Sequence, residues 1–90
     1  MKKFVIERDL PGAGQLTQAQ LQEIAITSCA AIDTLDAQYH WIQTFVAGDR
    51  LFCVHIAPDE ATVRRHAKEG GFPVTRVSEV IAIIDPTTSV

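Results

Sequence analysis

Ninety residues carrying a net charge of −3, 47% apolar and 21% charged, suit one folded domain spanning 1–90 and exclude a disordered polyelectrolyte. The five arginines are scattered rather than gathered into a basic stripe, which argues against nucleic acid as a partner. No stretch approaches a membrane span, and Glu7 interrupts the start before a signal-peptide core has room to form, so a cytoplasmic protein with no membrane partner is expected, its Cys29 and Cys53 reduced.

Residues 3–8 alternate, with Phe4 and Ile6 on one side and Val5 and Glu7 on the other, and read as a first strand. Asp9 to Gly14 then forms a loop whose glycines lack the spacing of a dinucleotide fingerprint and whose sequence has no phosphate-loop lysine. Thr17 followed by Gln20 predicts a capping box, and Leu16 with Leu21 a hydrophobic staple, so a helix starts here. Leu21, Ile24, Ala25, Ser28, Ile32 and Leu35 recur at helical spacing as its inner stripe, with Cys29 flanking them as a small buried thiol.

Tyr39–Val46 and Leu51–Ile56 are rich in aromatic and branched residues and read as a hairpin. Its register decides the faces. A two-residue turn at Gly48 and Asp49 sets Thr44 opposite Cys53; a three-residue turn with a bulge sets Phe45 opposite Cys53 and Gln43 opposite His55. The three-residue turn is the expectation, with Ile42, Thr44, Val46, Phe52, Val54 and Ile56 beneath the helices and Trp41, Gln43, Phe45, Cys53 and His55 on the open face.

Ala57 to Glu60 predicts the start of a second helix with Pro58 in its first turn, Val63, Ala67 and Gly70 facing inward, and a left-handed end at Gly70 and Gly71 that lets Phe72 fold back on Ala67. Arg76–Asp85 reads as a last strand, and residues 86–90 as a polar tail. The order strand, helix, strand, strand, helix, strand predicts an α+β, ferredoxin-like βαββαβ sandwich, a four-stranded antiparallel sheet with two helices on one face. Trp41, Phe45 and Cys53 on the other face would leave an apolar patch in water, so a homodimer packed sheet against sheet is expected.

Cys53 and His55 stand two residues apart on a strand and so point the same way, and a thiolate with an imidazole is a donor pair for borderline transition metals. A buried packing cysteine beside a hydrogen-bonded histidine is the plainer reading of the same pair. His66, on a helix among arginines, reads first as a half-exposed histidine bonded to a neighbour. No Cys-x-x-Cys or His-Glu-x-x-His motif is present.

Five stretches carry a resemblance: Phe4-Val-Ile-Glu-Arg-Asp-Leu-Pro-Gly-Ala13, Tyr39-His-Trp-Ile-Gln-Thr-Phe-Val46, Leu51-Phe-Cys-Val-His-Ile-Ala-Pro-Asp-Glu60, Val63-Arg-Arg-His-Ala-Lys-Glu-Gly-Gly-Phe-Pro73 and Arg76-Val-Ser-Glu-Val-Ile-Ala-Ile-Ile-Asp-Pro-Thr-Thr88. Over almost its whole length the chain resembles a small bacterial nickel-binding protein family, a domain of unknown function. The resemblance implies a ferredoxin-like dimer in the cytoplasm that binds nickel or another divalent transition metal, and it matches Cys53, His66, Glu7 and Glu79 to the family's pattern. It also implies an aromatic where His55 stands and a histidine where Gln43 stands, a loss that His55 and His40 would offset. The expected metal set is therefore Cys53, His55, Glu7, Glu79 and His66, serving sequestration or homeostasis. Two alternatives stand beside it: a metal-free dimeric interaction module, and a cofactor-free enzyme of the dimeric α/β-barrel type acting on a small organic substrate, with His55 as its base and Cys53 or Glu7 beside it. Enzymatic activity is the lesser expectation.

Overall fold

A computed structural model describes residues 1–90. Its elements are β1 (Lys2–Asp9), α1 (Gln18–Thr34), β2 (His40–Ala47), β3 (Arg50–Ala57), α2 (Glu60–Gly70) and β4 (Arg76–Glu79), with single 3₁₀ turns at Ala13–Gln15 and Pro86–Ser89. The strands form one antiparallel sheet in the order β2-β3-β1-β4. Both helices cover the same face of it, giving the ferredoxin-like α+β sandwich that the element order implies.

Local chemistry sets the element ends. The Thr17 side chain accepts from the Gln20 amide at 3.2 Å while the Gln20 side chain accepts from the Thr17 amide at 2.9 Å, a reciprocal capping box. Asp59 caps α2, its carboxylate accepting from the Thr62 amide and hydroxyl, so α2 begins at Glu60 and Pro58 lies outside it. At the far end Gly71 takes φ 70°, and the Phe72 amide reaches back to the Ala67 carbonyl at 2.8 Å, closing the glycine-ended cap expected from the sequence.

The inner face differs from expectation. Phe4, Ile6 and Arg8 of β1 and Leu51, Cys53, His55 and Ala57 of β3 alternate as the buried rows under the helices, while Val5, Phe52, Val54 and Ile56 lie on the open face. The hairpin turns on two residues: Ala47 pairs with Arg50, and Gly48 takes φ 62° at the first central position. Thr44 therefore opposes Cys53 and Phe45 opposes Phe52, and a bulge at Ile42 returns Trp41 to the inner face opposite His55. Because strand side chains alternate, this one-residue difference exchanges the two faces of β3, while Thr44 and Val46 of β2 stay inward and Gln43 and Phe45 outward as expected. Both faces of β3 are apolar enough to be buried, so its composition alone does not choose between them.

The core joins Phe4, Ile6, Leu51 and Cys53 of the sheet with Ala13, Tyr39 and Val63, and Leu16, Ile32 and Leu35 pack against it. Two further expectations are corrected. Cys29 is exposed, on the outer side of α1. The last strand stops at Glu79 rather than Asp85, because Glu79 already lies opposite Phe4 and β1 begins at Lys2, so the chain outruns its partner. A last bond runs from the Val80 amide to the Lys3 carbonyl at 2.8 Å, and residues 81–85 leave the sheet, with Ile81, Ile83 and Ile84 exposed.

Candidate functional site

Strand alternation turns Arg8, Cys53 and His55 inward, and helical spacing on α2 turns Val63, His66 and Ala67 toward them. Tyr39, just before β2, completes the cluster. Its hydroxyl hydrogen-bonds His55 Nδ1, its ring stacks on His66 with centroids 4.8 Å apart, and the two imidazoles meet edge to face at 5.2 Å. Phe72 stacks on the other side of His66 at 5.9 Å, with the Arg8 guanidinium over its ring at 5.3 Å.

Burial keeps the two imidazoles and the Tyr39 hydroxyl neutral. His55 and His66 are each 1% exposed. Loss of water pushes the His55 pKa down to about 3, with further lowering from His66 and Arg8 nearby. Burial also lowers the pKa of His66, partly opposed by its bond to the Ser28 carbonyl. Tyr39 is raised by burial, with Arg8 opposing, so its hydroxyl keeps its proton. His66 Nε2 lies 3.2 Å from the Ser28 carbonyl, which only accepts, so Nε2 carries the proton and donates. His66 Nδ1 is then the bare lone pair of the neutral ring, buried and without a partner.

Arg8, Cys53, His66 and Phe72 of this cluster form the floor of a cavity of about 240 Å³ between the sheet and α1, with Tyr39 and His55 behind them. Leu21, Ile24 and Ala25 of α1, Trp41 and Val46 of β2 and Leu51 of β3 make its apolar walls; Arg8, Ser28, Thr44 and His66 supply the polar lining. The Trp41 indole donates to Thr44 across the β2 bulge at 3.0 Å, holding that wall in place.

Of the five residues expected to form a metal set, the structure brings Cys53, His55 and His66 into one buried neighbourhood and leaves the carboxylates elsewhere. Glu7 lies on the opposite face, opposing Phe52 and facing Arg50 and Arg76 at 3.8 and 3.9 Å. Glu79 is exposed at the β4 edge, 3.8 Å from Lys2. His40 is exposed opposite Ile56. A thiol and neutral imidazoles are donor types that a borderline ion takes. They do not converge on one point, and no group of three His, Cys, Asp or Glu side chains is disposed to hold a metal ion.

Sequence reasoning missed two members of the site. Arg8 has the same strand parity as Phe4 and Ile6, which marks it as inward-facing, but its charge argues for water. Tyr39 read as an ordinary strand residue, and only the tertiary fold reveals its bond to His55.

The family model described as "Nickel responsive protein SCO4226-like" matches residues 4–80. The chain belongs to this family. Among solved structures, it is similar to that of SCO4226 from Streptomyces coelicolor A3(2), with a TM-score of 0.75 and 20% identity, covering 91% of this chain and 99% of that one. At that identity the likeness shows the fold alone. No curated protein matches the chain. No helix is long and apolar enough to cross a membrane.

Proposed function

We propose that this chain is a small homodimeric cytoplasmic protein that binds a divalent transition metal, nickel by its family, for sequestration or homeostasis. One observation carries the choice of site: the Cys53 thiol lies near two imidazoles that burial keeps neutral, and the His66 Nδ1 lone pair is committed to nothing. With no closed cage present, the reading takes Cys53, His55 and His66 as donors singly or in pairs, and the family description supports the choice of nickel. Calorimetric titration of the reduced, metal-free protein with nickel and zinc tests it. Saturable nickel binding weakened by Cys53→Ser and by His66→Leu, but not by Glu7→Gln or Glu79→Gln, is the expected result. A flat titration of the intact protein overturns the reading.

The cavity favours a second reading, a pocket for a small organic molecule. Ferredoxin-like dimers offer such space between sheet and helices, and this one presents apolar walls over a floor of Arg8, Cys53 and His66.

A further inference from the structure

Arg8 is 2% exposed, yet no carboxylate pairs with it; every ion pair in the structure uses another cation. Its two hydrogen bonds run from Nε to Cys53 Sγ at 3.4 Å and from Nη1 to the Pro73 carbonyl at 2.7 Å. The Nη2 group donates to no protein acceptor. A buried cation without a counter-charge is costly, and strands ordinarily place an arginine there only when something negative meets it.

Arg8 lines the cavity, and no Asp or Glu does. We infer that the cavity binds a small organic monocarboxylate, its carboxylate on the Arg8 guanidinium and its apolar body against Leu21, Ile24 and Trp41. The charge fits one anion. Beyond Arg8 the lining offers the Ser28 and Thr44 hydroxyls, the weakly donating Cys53 thiol, the Trp41 indole, whose proton goes to Thr44, and His66, whose proton goes to Ser28, so a phosphate dianion would lack donors. Size points the same way: a cavity of roughly 150 Å³ can hold benzene, so about 240 Å³ takes one ring or a short chain with its carboxylate. The inference is independent of the metal reading and rests on the cavity being a ligand site.

The test titrates benzoate and hexanoate into metal-free protein held in chelator, reading calorimetric heat and the fluorescence of Trp41, the one tryptophan. Benzamide and inorganic phosphate serve as the neutral and the purely anionic probes. A charge-assisted hydrogen bond predicts benzoate binding at least about tenfold tighter than benzamide, with phosphate silent. Arg8→Met should abolish that preference while keeping the fold, since an apolar residue of similar length replaces an unpaired charge. Ile24→Trp, which fills the cavity from α1 and leaves Arg8 itself unchanged, should weaken both aromatic probes. Equal binding of benzoate and benzamide would overturn the carboxylate inference and leave the cavity reading standing. Failure of every probe would overturn both, and phosphate binding lost in Arg8→Met would replace the carboxylate with an inorganic anion.

Discussion

Tyr39 and His55 hold one another where neither can be charged cheaply. An unfolded histidine titrates near 6.5, whereas folded His55 does so at about 3. Between those values the unfolded chain binds more protons than the native one, so the stability owed to a neutral His55 is complete above about pH 6.5 and is lost progressively as pH falls through this window. His66, lowered in the same direction, adds to the slope. Urea midpoints of the metal-free protein should therefore fall between pH 6.5 and 5, a range above most carboxylate titrations. His55→Phe should flatten the fall while lowering the neutral-pH midpoint, because Tyr39 loses its partner, a cost of roughly 1–3 kcal/mol. A midpoint constant from pH 7 to 5 would refute the neutral-imidazole account. Of these residues, sequence distinguished Cys53 and His55 as a same-facing pair but not which face they occupy. Burial of a thiol and imidazole is decided by what lies opposite, here Ile6 and Phe4 across the β1 pairing, and that is not a local property.

At the scale of elements, caps were legible because each depends on residues within five of one another: Thr17 with Gln20, and Gly71 with Phe72 and Ala67. The hairpin was not, since a two-residue and a three-residue turn both suit Ala47 to Arg50 and differ by one residue of register. Gly48 settles it with φ 62°, a conformation open to glycine at little cost. No atom lies within 4 Å of a side chain added there, so Gly48→Ala should act through backbone strain alone, costing about 1–2 kcal/mol. Chemical denaturation checks this, and amide exchange should place the loss in the β2–β3 hairpin. An unchanged midpoint would mean that the turn tolerates another geometry. The length of β4 was similarly hidden: Val80 to Ile84 is as rich in branched residues as any strand, but pairing with β1 ends at Phe4 and Glu79, with one last bond from Val80 to Lys3.

The whole molecule carries more surface than its mass calls for. A compact chain of 9.9 kDa exposes about 5,200 Å², against 5988 Å² here. Its radius of gyration is 13.8 Å, where about 12 Å is usual for this length. The excess, about 800 Å², equals the share that one partner buries in a standard interface. It coincides with apolar groups left in water: Phe45 on the open sheet face, 52% exposed, and Ile81, Ile83 and Ile84 beyond β4. These two features support the proposed homodimer, with the open face, carrying Phe45, Phe52 and Val54, as its centre in place of the Cys53 face expected from sequence. Sedimentation should then show a dimer at micromolar concentration. Phe45→Glu should shift it to monomer by setting a charge in the apolar centre, and Ile83→Glu should weaken the dimer if the 81–85 arm reaches across to the second copy. Carboxylate binding should survive in both variants, because the cavity lies on the other side of the sheet. A wild-type monomer at all accessible concentrations would remove the dimer, and the exposed isoleucines would then call for a different partner.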